Sequence, residues 1–365
     1  PLFVSECDIK KFYDCVNHTK ILQEFISITK EAKTKLSIEI DNRAVYFFNS
    51  YLDAFSFNEN VLKEEKKLLS KVGILNGTIP WVKDSELLDV NSNPNTDRIG
   101  VPQGGAISCL IANILLTHVD RIVTANPDGK TFYARFCDDM VLMYTEKEKC
   151  ESLLEIYQTA LKEAKLISHK PLPFGEYGKE FWDENLKSKL PYKWAINYNT
   201  KEHSKKNVPW LSFVGYQIRY DGVVRVRNKS IKKELKKQVS ETDKIINVVR
   251  KVPRINRMAI KFRLQQRLIS MSVSRFKFDS SKISMCWCAG FKVLKSNPNL
   301  ANQIRRLDRN REKQSRRLEL YLKGVKTPVR KAKKEVTPLK YYGHNYSYHK
   351  QFVKEKNAKR YFNLF

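Results

Sequence analysis

No uninterrupted apolar stretch in the chain reaches the roughly 18 residues that a membrane span requires. The best candidate, GAISCLIANILL from Gly105, is too short. Internal repeats are absent, and no second Cys or His pair stands at a zinc-like distance from Cys286-Trp287-Cys288, so those two cysteines read as buried thiols. The seven cysteines (Cys7, Cys15, Cys109, Cys137, Cys150, Cys286 and Cys288) are odd in number and scattered. That pattern suits reduced thiols in a cytoplasmic protein better than a disulfide framework. Acidic residues are scarce late in the chain: residues 231–365 hold 9 Asp+Glu against 36 Lys+Arg, whereas residues 1–230 hold 30 against 32. No amino-terminal signal can be read, because the chain begins only seven residues before Asp8, and further residues of the natural protein are expected to precede Pro1.

The 365 residues, 42% of them hydrophobic, suffice for two or three domains with cores of their own. A one-sided positive field in the last third points to a polyanion, since a solvated helix surface usually mixes signs. A membrane surface fits less well, because the basic helices lack a continuous apolar stripe. Residues 2–9 read as a strand, 20–35 as a helix, and 40–70 as mainly helical with apolar spacing at Val45, Phe48, Tyr51, Leu52 and Phe55. Asn76-Gly77 signals a hairpin, residues 91–97 a polar loop, and SCLIANILLTHVDRIV a buried helix. ESLLEIYQTALKEAKL is amphipathic, 171–210 irregular, and WLSFVGYQIRYDGVVRVR a hairpin turning at Asp221-Gly222. From Ile231 the pattern is helical and basic, with breaks at Pro253, Asn297-Pro298 and Pro328, and the end YYGHNYSYHKQF is loop-like.

Asp138 and Asp139 stand between two strand-like runs in TFYARF-C-DD-MVLMY, and Asp8 ends the extended stretch LFVSEC. A hairpin tip favours Asp and exposes its carboxylates. Alone, such a pair is more often a solvated loop than a metal site. With a third acid on a separate strand it has the parts of a two-metal site, in which hard oxygen ligands hold ions about 3.5–4 Å apart across a nucleotidyl transfer.

Four segments together resemble a known family. DIKKFYD (8–14), GVPQGGAISCLIANILL (100–116), RFCDDMVLMY (135–144) and FVGYQIRYDG (213–222) are similar, in order and spacing, to the palm motifs of reverse transcriptases, closest to the bacterial group II intron-like branch. The resemblance covers residues 1–235. It implies an α+β fold: a right-hand polymerase palm, an antiparallel sheet backed by helices, over 1–227, then an all-α basic thumb over 228–325 and a basic aromatic tail over 326–365. The fingers strands that hold the triphosphate in similar enzymes are expected to be largely absent from this chain.

Carried over residue by residue, the resemblance makes Asp8 and Asp138 the metal ligands, assisted by the Ile9 carbonyl, with Asp139 completing the acidic cluster. Two Mg²⁺ ions are implied, with Mn²⁺ able to substitute, and one carboxylate should have a raised pKa in their absence. Asp14 is excluded as structural. Tyr13 would fill the space of a ribose 2′-hydroxyl and so select dNTPs, against the alternative of core packing; Phe12 is assigned to the core. Gln103 and Gly104 would meet the incoming nucleotide or template, with Ser108 capping the next helix. Lys170 would lie near the triphosphate, or be an ordinary surface lysine, while His169 is read as packing. Phe213, Gly215 and Tyr216 would form the primer grip, anchored by Trp210 and Leu211.

One departure is that the family's Tyr-Ala-Asp-Asp turn reads Phe136-Cys137-Asp138-Asp139 here, a change that should leave the chemistry intact. No zinc endonuclease spacing follows the thumb. The basic last third is closer to bacterial stand-alone reverse transcriptases, including antiphage defence systems, which work with a structured noncoding RNA. The expected partners are an RNA template, a DNA primer or product strand and dNTPs. Leucines and arginines of NLANQIRRLDRNREKQSRRLELYL could line an RNA backbone, and Tyr341, Tyr342, Tyr346 and Tyr348 could stack bases at roughly 1–3 kcal/mol each. The alternatives are a maturase-like RNA-binding protein, a non-templated or protein-primed DNA polymerase, and a structural subunit with a vestigial site. The intact Asp8, Asp138 and Asp139 speak against the last.

Overall fold

The computed structural model describes residues 2–62, 82–93, 97–125, 128–173, 187–195, 207–252, 256–271, 294 and 297–324. The Asn76-Gly77 hairpin, the Cys286-Trp287-Cys288 segment, the breaks at Pro253 and Pro328 and the tyrosine-rich tail all lie outside these residues. Two compact units divide the chain, Pro1–Val214 and Gly215–Phe365.

The first unit is built on a five-stranded sheet. Its strands are β1 (Leu2–Cys7), β2 (Phe132–Phe136), β3 (Asp139–Tyr144), β4 (Lys189–Trp194) and β5 (Asn207–Val208), in the order β2-β3-β1-β4-β5. Every pairing is antiparallel except that of β4 with β5. Helices accompany the sheet: α1 (Phe12–Cys15), α2 (His18–Leu36), α3 (Asn42–Asp53), α4 (Asp84–Leu88), α5 (Ser108–Val123) and α6 (Lys147–Glu163).

Side-chain alternation sorts the strands into two faces. Cys7, Ile9, Met140, Leu142 and Tyr144 join α5 and α6 in one large apolar cluster, with Ile111, Leu115, Leu116, Leu154 and Leu161 at its centre. Val4 and Val141 point the other way, into a smaller cluster with Tyr192, Val208, Leu211 and the partly buried Phe213 of β6 (Trp210–Phe213). Both clusters follow from the sequence: β3 is a near-continuous apolar run because both of its faces are covered. α5 is buried at Ile111, Ala112, Ile114, Leu115, Leu116 and Val119 because it fills the space beneath the sheet.

The second unit opens with the hairpin β7 (Tyr216–Arg219) and β8 (Val224–Val226), paired antiparallel, whose turn uses Gly222 at φ 80° as Asp221-Gly222 anticipates. Among the described residues three helices follow: α7 (Asn228–Lys251), α8 (Arg257–Ser270) and α9 (Pro298–Leu322). Asn297 caps α9 by accepting from the Leu300 N–H, with Pro298 at its first position. The outer edge of β8 is closed by Gln303, whose amide accepts from the Val226 N–H at 3.1 Å and donates to the Val226 carbonyl at 2.7 Å. The helices pack through two apolar clusters, one around Ile231, Ile304 and Leu307 and one around Ile245, Leu264 and Leu318. Between them in the chain lie the buried polar residues Gln238, Thr242 and Gln314. Asn310 donates to Gln238 at 2.6 Å. No described helix is long and apolar enough to cross a membrane.

Candidate active site

Two of the strands carry the acids. Cys7 pairs with Met140 in the β1–β3 ladder, so Asp8 follows at the level of Asp139. Alternation places Asp8 on the face of Val4 and Glu6, and Asp139 on the face of Val141, the same side of the sheet. Asp139 is exposed and Asp8 is 9% exposed. Phe136 pairs with Asp139, leaving Cys137-Asp138 as a two-residue turn. Cys137 takes a left-handed φ of 52°, a conformation that a tight hairpin turn normally reserves for Gly. Arg135 braces this turn: its guanidinium donates to the Cys137 carbonyl at 3.0 Å and to Asp120 at 2.8 Å through Nε. Sequence reading missed Arg135, although an arginine alternating with tyrosine inside a strand was the available signal.

Asp8 is held from three sides. Its N–H donates to the Ser188 hydroxyl at 3.0 Å, its carbonyl accepts from the His169 N–H at 2.9 Å, and the Lys187 ammonium donates to its carboxylate. The bridge of Ile9 with Ser168 is closed by neighbouring residues, Asp8 O with His169 N and Lys10 N with Ile167 O. In such a pair the middle residue's own carbonyl points away from the partner segment, which leaves that of Ile9 turned outward. Burial pushes the Asp138 carboxyl above the usual carboxylate range; the negative charge of Asp8 adds to this, while Lys187 opposes it. The expectation of one raised carboxylate thus falls on Asp138.

The donor set suits Mg²⁺. Asp8 and Asp138 interact electrostatically, and the Ile9 carbonyl is turned outward. Mg²⁺ is usually bound by one or two carboxylates plus substrate phosphates and water, rather than by an all-protein cage. Among the described residues no three His, Cys, Asp or Glu side chains come together as a ready-made metal cluster. The exposed Asp139 follows Asp138 directly in the chain, at the first position of β3.

Tyr13 joins this site. Its hydroxyl shares a hydrogen bond with the Cys109 thiol at 3.8 Å and interacts with the Cys137 thiol, and the negative charge of Asp138 acts on it. Burial comes first in raising its pKa. The ring also packs edge-on against Phe12 at 5.2 Å, and Phe12 is 3% exposed, a core residue as expected. Backbone bonds tie this segment to the glycine-rich loop: Val101 N–H donates to the Tyr13 carbonyl and Gly100 N–H to the Val16 carbonyl, each at 2.7 Å.

Gln103 and Gly104 are exposed at the crest of that loop, and Gly104 has φ 81° with no atom within 4 Å of the place a Cβ would take, so open space lies above it. Gly105 is the opposite case, since a Cβ there would fall 1.9 Å from the Tyr51 hydroxyl. Ser108 does not cap α5. The N-cap is Ile107 with no side-chain bond, and the Ser108 hydroxyl donates instead to the Pro102 carbonyl at 2.6 Å, where it fixes the loop's curvature. Asp14 contributes its carbonyl as a wall beside Gly100 and is no part of the acid pair.

Lys170 is exposed, one residue beyond the His169 contact to Asp8. Phe213 packs in the first unit's smaller cluster. Gly215 and Tyr216 begin the second unit, where Gly215 has φ 80° and accepts from the Arg227 N–H, and Tyr216 packs beside Val226 and Ile231. Lys187 and Ser188 escaped the sequence reading, because the stretch 171–210 shows no periodicity; only the fold brings β4 against β1, some 180 residues away.

Residues 2–170 match the family model of reverse transcriptase (RNA-dependent DNA polymerase). No curated protein matches the chain. Among solved structures the chain is similar to the telomerase from Candida albicans, determined in complex with a TWJ fragment of telomeric RNA, at 11% identity and a TM-score of 0.36. That alignment covers 88% of this chain, which spans 40% of the telomerase chain. The match runs from β1 through the tandem-aspartate hairpin to Lys170, so it is the part of the first unit that carries the acids which resembles a reverse transcriptase (RNA-dependent DNA polymerase) domain.

Proposed function

We propose that the chain is an RNA-directed DNA polymerase making cDNA, with Asp8 and Asp138 as the ligands of two Mg²⁺ ions, the Ile9 carbonyl assisting and Asp139 alongside. Mn²⁺ can substitute on this donor set. The observation that carries the reading is one of register: Cys7 opposite Met140 brings Asp8 beside the Asp138-Asp139 turn, with Tyr13 in contact with the same turn. When bound, the ions activate the primer's 3′-hydroxyl and stabilise the leaving pyrophosphate as the new O3′–Pα bond forms. The chain's own part is positional. Asp8 is fixed through its backbone and Asp138 by a braced turn, so neither carboxylate needs to reorganise. Tyr13 fills the place of a 2′-hydroxyl, Gln103 and Gly104 meet the nascent base pair, and Lys170 is assigned to the triphosphate. Phe213, Gly215 and Tyr216 are assigned to the primer's 3′ end, with a palm over 1–227, a thumb over 228–325 and a tail over 326–365.

Primer extension on a poly(rA)–oligo(dT) substrate tests this. Wild type extends with dTTP and Asp138→Asn does not; extension that survives the Asp8→Asn, Asp138→Asn double substitution sinks the reading. Tyr13→Ala should improve UTP incorporation relative to dTTP roughly 10–100-fold.

We further propose a dedicated structured RNA as template, in a cytoplasmic bacterial antiphage system; the charge of residues 215–365, 40 Lys+Arg against 10 Asp+Glu, supports the RNA-binding part. Sequencing RNA that copurifies with the chain should return one abundant species; a random population removes the dedicated partner. Phage protection that persists in Asp138→Ala would favour maturase-like RNA binding over synthesis.

A further inference from the structure

β4 and the residues just before it carry two lysines whose roles differ. Lys189 is buried, 6% exposed at its side chain, and is locked between strands: it donates to Glu6 at 2.8 Å, and Tyr192 donates to the same carboxylate. Lys187, two residues earlier, pairs with Asp8 while its side chain is 60% exposed. The residue between them, Ser188, is 1% exposed and takes the Asp8 N–H, which fixes the backbone from which Lys187 reaches. Lys187 thus has a fixed base and a movable, solvated ammonium.

The charge of that ammonium bears on more than Asp8. It also acts on Asp138, in the direction opposite to Asp8, and on His169. A single lysine therefore bonds one carboxylate of the pair and acts electrostatically on the other. Two carboxylates brought together need cationic compensation. Among the described residues Lys187 is the basic side chain bonded to Asp8.

We propose that Lys187 is an internal counter-ion that holds the Asp8–Asp138 pair between turnovers and is displaced by the divalent ions arriving with the nucleotide, so that its charge sets the site's divalent-ion requirement. The inference rests on the reading of Asp8 and Asp138 as metal ligands. A dication and an ammonium cannot share one small carboxylate pair without strong repulsion, and the exposed stem of Lys187 lets it withdraw to water. Once withdrawn, the ammonium is free to follow the polyanionic triphosphate, which couples nucleotide arrival to metal loading. A site so arranged is partly neutralised when empty, and fills with metal when there is substrate to use it.

Mn²⁺ binding to the nucleotide-free full chain, followed by the loss of the free-ion signal in electron paramagnetic resonance, tests this apart from activity. Lys187→Gln should bind Mn²⁺ roughly tenfold more tightly than wild type, the effect of removing one close like charge. Lys187→Arg, which keeps the charge, should bind as wild type does, and Asp138→Asn should bind far more weakly. The Mg²⁺ concentration for half-maximal primer extension should fall in Lys187→Gln by a similar factor. If Lys187→Gln binds Mn²⁺ no more tightly than wild type while Asp138→Asn is weakened, the counter-ion role is overturned and the metal site stands. If Asp138→Asn binds Mn²⁺ as wild type does, the metal-ligand reading itself fails. Circular dichroism of Lys187→Arg and Lys187→Gln confirms that the exposed substitution leaves the fold in place.

Discussion

The two units of this chain solve opposite problems. Residues 1–214 are electrically balanced, with 28 Lys+Arg against 29 Asp+Glu, and their principal apolar cluster runs without interruption from α2 through the sheet to α6. Residues 215–365 carry 40 Lys+Arg against 10 Asp+Glu, and their helices are pinned by two small apolar clusters with buried polar groups at Gln238, Thr242 and Gln314. Chemistry that needs carboxylates held to a fraction of an ångström sits on a stiff, close-packed base. On the proposed function the second unit would meet a long polyanion and so need charge more than exact placement, because phosphate contacts are salt-dependent and largely independent of sequence.

Substitutions can break that division of labour. The largest effect is expected at Asp8: Asp8→Asn should lower DNA synthesis about a thousandfold or more, the roughly 4 kcal/mol that a lost metal clamp represents. RNA affinity measured by filter binding should stay within about twofold. A parallel loss of RNA binding would mean that the two units are not separable in function. The converse change is Arg305, Arg306 and Arg309 together to Gln, all exposed on α9. RNA affinity should fall roughly 10–100-fold, and the salt slope of log K should drop by about 2, near 0.7 for each phosphate contact to a single strand. Single-turnover extension at saturating template should be unchanged.

Stability offers finer probes of the same contrast. Gln238→Leu leaves Asn310 without its 2.6 Å acceptor and should cost the second unit about 1–3 kcal/mol in urea denaturation. The double substitution Gln238→Leu, Asn310→Leu should recover much of that, which tests whether the polar contacts are specific or merely tolerated.

In the first unit the pH response should come from His18. Its Nε2 lies 2.7 Å from the Gly100 carbonyl, and burial lowers its pKa, more than the bond to Gly100 raises it. A histidine depressed in the folded state contributes stability above its unfolded pKa of about 6.5, and that stability is lost as pH falls through the folded value. The melting temperature of the wild type should therefore drop on acidification below about pH 6.5, and His18→Asn should flatten that limb. The smallest effect is expected at Cys137. Cys137→Gly removes a left-handed strain worth about 1 kcal/mol and should raise the urea midpoint of the first unit slightly.

Much of this was legible in the chain. The tandem aspartates sit at a hairpin tip, SCLIANILLTHVDRIV is the buried helix α5, and Asp221-Gly222 turns β7 into β8. Local signals carried those elements, because turn chemistry and periodicity act over a few residues. What escaped depended on distant partners. β1 stops at Cys7 rather than Ile9, because Asp8 and Ile9 leave β3 and meet the segment 167–169 instead. β4, which reads KLPYKW with Pro191 between Lys189 and Lys193, has no strand-like alternation and exists through its pairing with β1. Ser108 has the composition of a cap, yet it stands inside the helix, after the N-cap Ile107, and its hydroxyl donates to the carbonyl of Pro102.

The backbone bonds from Gly100 and Val101 to Val16 and Tyr13 have one further consequence. They splice the loop that would feel the shape of a base pair to the ring that would feel the sugar, and through the next few residues to Asp8. On the proposed roles, a mismatched geometry pressing on the loop would reach Tyr13 through these bonds. Copying accuracy and catalytic rate would then be linked mechanically, and an error would slow the step that makes it permanent.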